Sequence, residues 1–456
     1  MNSTFFQKEN MRRAIVFGGG GARGAFEIGV WKALDELGYH ADIVTGTSVG
    51  ALNGALYVLG NQVEAEEMWK EIETQDILGF ELPIEVANFG DYRKTISDFI
   101  VKVVKEKGLS TKPLEEMIIK YIDDEHEIRS KDIIFGLSTI NYKTKRVENY
   151  YLEDIETGRL KDYLLASAAI YPVMEKYYID EVPYIDGGYR NNIPINLALN
   201  KKPDQMVIVD IHGPSIFRHD QRIDDVEYEW IKTNWPLGDM LLFDKQRTEI
   251  NVSLGYMETM KIAKASDYKG NWYTFDPSQF TKKNEAFYVV LHQLLIGQGS
   301  NRLFKDIDKE KYQQELLKEL SKKWKKEVNE ENLMWAVLEM TGKTFKISPD
   351  KKYSINEFQE VIINRVTELM EDEKTESIKA FEPSFILSRK EWSKEIFEEL
   401  PLMSNRRMTI QILKWLTDDS ISWDHPLFNI IIRAKPLPMI LALYCKYLFS
   451  KEEGFS

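Results

Sequence analysis

The chain has 456 residues, 43% of them hydrophobic and 29% charged, with a formal net charge of −13 at neutral pH. That length allows two or three domains and a sizeable core. The acidic balance excludes general nucleic-acid binding, which needs phosphate-neutralising basic surface, and gives no global attraction to an anionic membrane, although a local basic face is compatible with it.

Residues 1–13 carry no apolar run long enough for a signal peptide. The lone cysteine, Cys445, excludes an intrachain disulfide and suits a reducing compartment. The expectation is a cytoplasmic protein, with room for peripheral contact at the inner face of a membrane. Arg13 to Phe17 reads as a buried first strand. It delivers the chain into Gly18-Gly19-Gly20-Gly21-Ala22-Arg23-Gly24. A helical pattern runs from Ala25 to Leu37, with Gly38 as its stop. A short strand at Asp42 to Val44 enters Gly46-x-Ser48-x-Gly50, and a small-residue helix leaves it. Strand, serine, helix is the context in which this motif exposes a nucleophile on a sharp turn.

Residues 75–112 are less regular and suit a lid or a connection. Pro113 opens a helix with Leu114, Met117, Ile118 and Tyr121 on its apolar face. Asp132 to Thr139 and Arg146 to Leu152 read as adjacent strands, and Leu160 to Ile170 as a helix. Lys176 to Asp180 and Val182 to Ile185 form a hairpin leading into Asp186-Gly187-Gly188, and Gln205 to Ile211 is a further buried strand. This alternation predicts an α/β fold, a mostly parallel sheet with helices on both faces. Beyond residue 213 strand signals fade. Asn284 to Leu295 and Glu310 to Val328 look helical, and Ser354-x-x-Glu357 and Ser388-x-x-Glu391 are capping-box patterns. Pro438 to Leu448 is the longest apolar run and is too short to span a membrane; it reads as a core helix. The division falls near residue 215: an α/β part, 1–215, and a mostly helical part, 216–456. The aromatics of the second part, Trp230, Trp235, Phe243 and Trp272 among them, suit a core better than a membrane interface.

Three pieces carry chemistry. The glycine loop fits a dinucleotide fingerprint, but no acidic residue follows a second strand at the expected distance, and that strand runs instead into the serine turn. Consecutive glycine amides at a helix start also suit an oxyanion. Ser48 needs a base. His212, just after a strand, would serve in a Ser-Asp-His order, and Asp186, at the end of a β-run, could serve directly. Taken one at a time, a strand-end polar residue and an Asp-Gly turn explain these two more simply, so the residues alone leave the base open.

Together, the glycine loop, Gly46-Thr47-Ser48-Val49-Gly50-Ala51 and Asp186-Gly187-Gly188 resemble the three ordered motifs of patatin-like phospholipases. Ala166-Ser167-Ala168-Ala169 with Pro172, and Asn192-x-Pro194, support the match. The resemblance covers residues 12–213. It implies a three-layer α/β/α sheet followed by a mostly helical region, and a lipid acyl hydrolase of phospholipase A type acting on phospholipid or acyl-lipid esters. It implies Ser48 as nucleophile, Asp186 as base, Gly19, Gly20 and Gly21 as oxyanion amides, Arg23 as loop anchor, and no metal or cofactor. A non-catalytic lipid- or nucleotide-binding regulator, or an esterase using His212, are the alternatives. Residues 216–456 would be a lid, a membrane-docking surface, or a regulatory or oligomerisation module. Oligomeric state is not legible.

Overall fold

A computed structural model of the chain describes residues 4–79, 99, 101, 103, 105, 108–122, 124–213, 220–263, 268–276, 309–329, 332–371, 403–417 and 435–452. They divide into two compact units, Met1–Ala265 and Ser266–Ser456.

The first unit is built on an eight-stranded mixed sheet. Its elements in chain order are α1 (Thr4–Gln7), β1 (Arg13–Phe17), α2 (Ala25–Glu36), β2 (Ile43–Thr47), α3 (Val49–Leu59), α4 (Gln62–Glu71), α5 (Thr74–Leu78), α6 (Lys112–Tyr121) and α7 (Glu125–Ser130). There follow β3 (Ile134–Asn141), β4 (Arg146–Tyr151), α8 (Leu160–Ala168), β5 (Tyr177–Ile179), β6 (Val182–Asp186), α9 (Ile195–Asn200), β7 (Gln205–Val209), β8 (Glu227–Ile231) and α10 (Lys245–Ile262). The strands lie in the order β5-β6-β3-β2-β1-β7-β8, with β4 also on β3. From β3 through β8 neighbours along this path run parallel, and β4 and β6 pair antiparallel to β3.

The period-2 rule explains the layers. Ala14 and Val16 of β1, with Met206 and Ile208 of β7, face α9 through Ile195, Ala198 and Leu199. Ile15, Phe17, Val207 and Val209 face the other way, toward Ala25, Ala51 and Leu164 of the helices on that side. Central strands buried on both faces read as continuous apolar runs, and each such side chain contributes about 1.5–3 kcal/mol. This is the expected three-layer α/β/α arrangement.

The compact unit runs past residue 215. β8 extends the sheet beside β7. It is a half-exposed edge strand with alternating Glu and aromatic residues, so it shows no apolar run. α10 crosses α2 backbone to backbone. A Cβ on Gly29 would lie 1.9 Å from the Val252 carbonyl oxygen, and one on Gly255 would lie 1.9 Å from that of Phe26. Only glycine permits that approach. Trp230, Trp235 and Phe243 are partly buried against the cores of this unit.

The second unit contains β9 (Thr274–Phe275), α11 (Lys309–Trp324), α12 (Leu333–Thr344), β10 (Lys352–Tyr353), α13 (Ile355–Glu371), α14 (Asn405–Thr417) and α15 (Pro436–Glu452). Glu339 of α12 is fully buried. It accepts the amides of Asn271, Trp272 and Tyr273 at 2.8–3.0 Å and the Trp324 indole N–H, so its carboxyl is paired with donors. Ser354 Oγ accepts the Glu357 amide at 3.2 Å at the start of α13, as the capping pattern predicts. Leu437, Met439 to Cys445, and Leu448 are buried, so α15 is a core helix. Among the described residues, no helix is long and apolar enough to cross a membrane. The expected helix at 284–295 and the capping pattern at 388–391 lie outside the described residues, as does most of 75–112.

Candidate active site

The sheet register brings Ser48 and Asp186 together. β2 pairs with the first half of β3, ending with Thr47 opposite Ser138. β6 arrives antiparallel on the second half, ending with Asp186 opposite Thr139. β4 overlaps both along β3 and so occupies its other edge. β2 and β6 therefore share one edge and meet end to end. Their last residues deliver Ser48 and Asp186 to the same point, at the carboxyl ends of the parallel strands, where open α/β sheets bind ligands.

Ser48 sits at φ 56°, ψ −128°, a region L-residues avoid. The turn holds it there because neighbouring backbones approach closely. A Cβ on Gly46 would lie 2.1 Å from the Gly50 carbonyl oxygen, and one on Gly50 would lie 2.5 Å from that of Phe17. The Ser48 amide donates to Ser167 Oγ at 2.9 Å, and Ser167 Oγ donates to the Ser138 carbonyl at 2.8 Å. The elbow is thus tied to both α8 and β3.

The Ser48 hydroxyl stands beside the Asp186 carboxyl, close enough to favour its charged form. Asp186 is almost fully buried, and Oδ1 accepts the Gly188 amide at 2.6 Å. Burial pushes its pKa up to about 6, against the opposing effects of the Ser48 hydroxyl and the Gly188 amide. A carboxylate with that value is ionised at neutral pH yet basic enough to take a proton.

The glycine loop lies against this pair. A Cβ on Gly19 would lie 3.3 Å from Ser48 Cβ. The Gly18 amide donates to Val209 O at 3.1 Å, and the Gly19 amide to Asn192 O at 3.0 Å. Asn192 Nδ2 returns a bond to Gly19 O at 3.0 Å. The Gly19 N–H is therefore already committed. Among the described residues, the Gly20 and Gly21 amides have no acceptor, and these two are the loop's free donors. Arg23 donates from Nε to Gly238 O at 2.9 Å and from Nη1 to His212 O at 2.6 Å, which anchors the far end of the loop. The His212 ring points to other partners. Its Nε2 lies 2.9 Å from Thr233 O, and Nδ1 is 3.9 Å from Asp210 Oδ1.

Ser48 opens onto a narrow cavity, with about 50 Å³ accessible to the centre of a water-sized sphere. Ser48, Leu52 and Leu56 line it from one face of α3, so it follows that helix for about 12 Å at 1.5 Å per residue. Trp69, Leu114, Met240 and Phe243 help close it, and its walls are almost wholly apolar. Among the described residues, no group of three or more His, Cys, Asp or Glu side chains could hold a metal ion.

Ser138, Ser167 and Asn192 belong to the site through backbone contacts. Only the last two lay in stretches the sequence singles out, and nothing in the sequence marks Ser138.

A serine at a strained strand-to-helix bend, beside a buried carboxylate and flanked by free glycine amides, is an arrangement equipped for acyl transfer. Residues 15–199 match the family model for patatin-like phospholipase, and this stretch is a patatin-like phospholipase domain. Patatin-like phospholipase domain-containing protein 7 of Rattus norvegicus is 28% identical over 211 residues, which are 43% of this chain and 13% of that protein. Neuropathy target esterase sws of Drosophila melanogaster is 28% identical over 208 residues, again 43% and 13%. The chain thus spans about an eighth of the length of these relatives. VipD from Legionella pneumophila aligns over 95% of this chain and 92% of its own, at 12% identity and a TM-score of 0.34.

Proposed function

We propose that the protein is a lipid acyl hydrolase of phospholipase A type, cleaving carboxylic esters of phospholipids or related acyl lipids. The observation that carries this reading is the juxtaposition of Ser48 with the buried Asp186 carboxyl at the mouth of an apolar cavity. Asp186 takes the Ser48 proton as Oγ attacks the ester carbonyl. The Gly20 and Gly21 amides stabilise the oxyanion, and Gly19 acts one step back by holding the loop to Asn192. Asp186 then gives its proton to the departing alcohol. Water, activated in turn by Asp186, attacks the acyl-serine and releases the fatty acid. The acyl chain lies along α3 between Leu52 and Leu56, where each buried methylene gains about 0.8 kcal/mol. Arg23 keeps the loop in register. The second unit, Ser266–Ser456, serves docking or regulation in this reading, and the enzyme works at the surface of a membrane.

A fluorophosphonate probe and product profiling on a phospholipid mixture test this together. Labelling at Ser48, with fatty acid release that Ser48→Ala abolishes, is the expected result. Folded protein that neither labels nor releases fatty acid would leave a lipid- or nucleotide-binding regulator as the better reading.

A further inference from the structure

β3 runs beyond Thr139, the residue opposite Asp186, to Asn141, and the next residue, Tyr142, donates its amide to Pro183 O at 2.8 Å. At about 3.3 Å per residue, Tyr142 stands roughly 10 Å along the strand from the level of Asp186. Tyr171 reaches the same rim from α8. Its amide and that of Asp186 both donate to Ala169 O, each at 2.8 Å. The Tyr142 and Tyr171 rings pack edge to face at 5.4 Å. Two lysines share them. Lys145 Nζ lies 3.1 Å and Lys176 Nζ 3.9 Å from the Tyr142 ring centroid, and Lys176 Nζ is 5.0 Å from that of Tyr171. Among the described residues, neither ammonium has a carboxylate partner. Tyr189 and Tyr178, 46% and 61% exposed, lie in the strand and turn beside them, and the Tyr189 hydroxyl donates to Tyr171 O.

Two unpaired ammonium groups against one ring repel each other, and in a chain of net charge −13 carboxylates were available to pair them. A hydrogen bond from Tyr171 first, and then the two lysine charges, hold the Tyr142 phenol below its usual range. An anion bound beside them would relieve the repulsion and take several donors at once. We propose that Lys145, Lys176, Tyr142 and Tyr171 form a phosphate-binding cradle on the rim of the site, which takes the phosphate of a phospholipid whose ester faces Ser48. Lysine ammonium and tyrosine hydroxyl groups donate to the phosphate oxygens, and the exposed tyrosine rings suit the headgroup level of a bilayer. The cradle rests on the acyl-hydrolase reading for the ester end only; the phosphate end stands on the rim geometry. If the lysines only cover tyrosine faces by cation–π contact, removing them would leave headgroup dependence unchanged.

The test compares Ser48→Ala protein with and without Lys145→Gln/Lys176→Gln, titrated calorimetrically with dihexanoyl phosphatidic acid below its micelle concentration, with dihexanoylglycerol, and with inorganic phosphate. The lysine substitutions should weaken phosphatidic acid binding about tenfold and leave dihexanoylglycerol unchanged. Equal loss for both lipids, or no loss for either, overturns the cradle. Inorganic phosphate binding as tightly as phosphatidic acid also overturns it, since the site would then serve a free anion. In the active enzyme, Lys145→Gln/Lys176→Gln should raise KM for the phospholipid about tenfold at unchanged kcat, and leave p-nitrophenyl butyrate hydrolysis as it was. If no ester is turned over by any form, the acyl-hydrolase reading fails, and the titrations still decide the cradle.

Discussion

Gly19 and Asn192 hold each other by two reciprocal bonds: the Gly19 amide to Asn192 O, and Asn192 Nδ2 to Gly19 O, both 3.0 Å. One is main chain to main chain and survives any substitution at 192. The other belongs to the side chain. Asn192→Ala leaves the Gly19 carbonyl unpaired in a buried place, which costs about 1–3 kcal/mol. The loop then loses its fixed distance to Ser48. We expect kcat to fall about 10- to 100-fold, less than the 10²–10³ that follows outright loss of an oxyanion donor. Thermal melting and ester hydrolysis on the same preparation check both.

Asp186 ties activity to pH. Its pKa of about 6 lies above that of an unfolded aspartate, near 3.9. The basic form is needed, so kcat/KM should rise with pH through about 6 and level off above it. Stability moves the other way. A raised native pKa stabilises below the unfolded value, and that stability is lost as pH rises through about 6. Asp186→Asn should therefore be inactive yet melt higher than the parent at pH 7, with the gap closing as pH falls from about 6 toward 4. A variant that melts alike at both ends of that window would contradict the burial argument.

Ser48→Gly isolates the strain of the turn. At φ 56° and ψ −128° a serine costs about 1–3 kcal/mol, which glycine removes at a cost of up to about 1 kcal/mol in backbone entropy. The variant should be inactive and about 1 kcal/mol more stable, read from denaturant or thermal midpoints against Ser48→Ala.

His212 offers a clean negative. Its ring faces Thr233 and Asp210, and its bond from Arg23 uses the main-chain carbonyl. His212→Ala should keep ester hydrolysis within about threefold, because the loop anchor survives. Collapse of activity in folded protein would favour the Ser-Asp-His order.

Leu52→Trp tests the cavity. Leu52 lines the apolar wall one turn beyond Ser48. A tryptophan there fills the path of a long chain while sparing the carbonyl position. Hydrolysis of long-chain esters should fall at least tenfold relative to short-chain ones, at about four-fold per excluded methylene. The ratio of rates on butyryl and palmitoyl esters measures it.

Most of the sheet is readable from the sequence because central strands leave continuous apolar runs: residues 13–17, 43–44 and 205–209 stand out for that reason alone. β8 does not, since Glu227 and Glu229 alternate with its aromatic residues and break the apolar run. The elbow and the glycine loop are legible because glycines mark where backbones must touch. The clamps are not. Ser167 and Asn192 tie backbone atoms of distant segments, Ser138 takes part through its main-chain carbonyl, and a lone serine or asparagine has no spacing that announces such bonds. The commitment of the Gly19 amide likewise follows from the Asn192 carbonyl, which any residue would supply.

The shared edge of β3 also sets a schedule. During synthesis Ser48 emerges long before β6, and β1 cannot seat its loop until β7 arrives to take the Gly18 amide. Pairings so far apart in sequence form late. The growing chain therefore carries the proposed nucleophile without its proposed proton acceptor until most of the first unit has been made. A ribosome-bound fragment ending before β6 should be chemically silent toward the membranes around it, a latency that needs no pro-segment and ends when one strand docks.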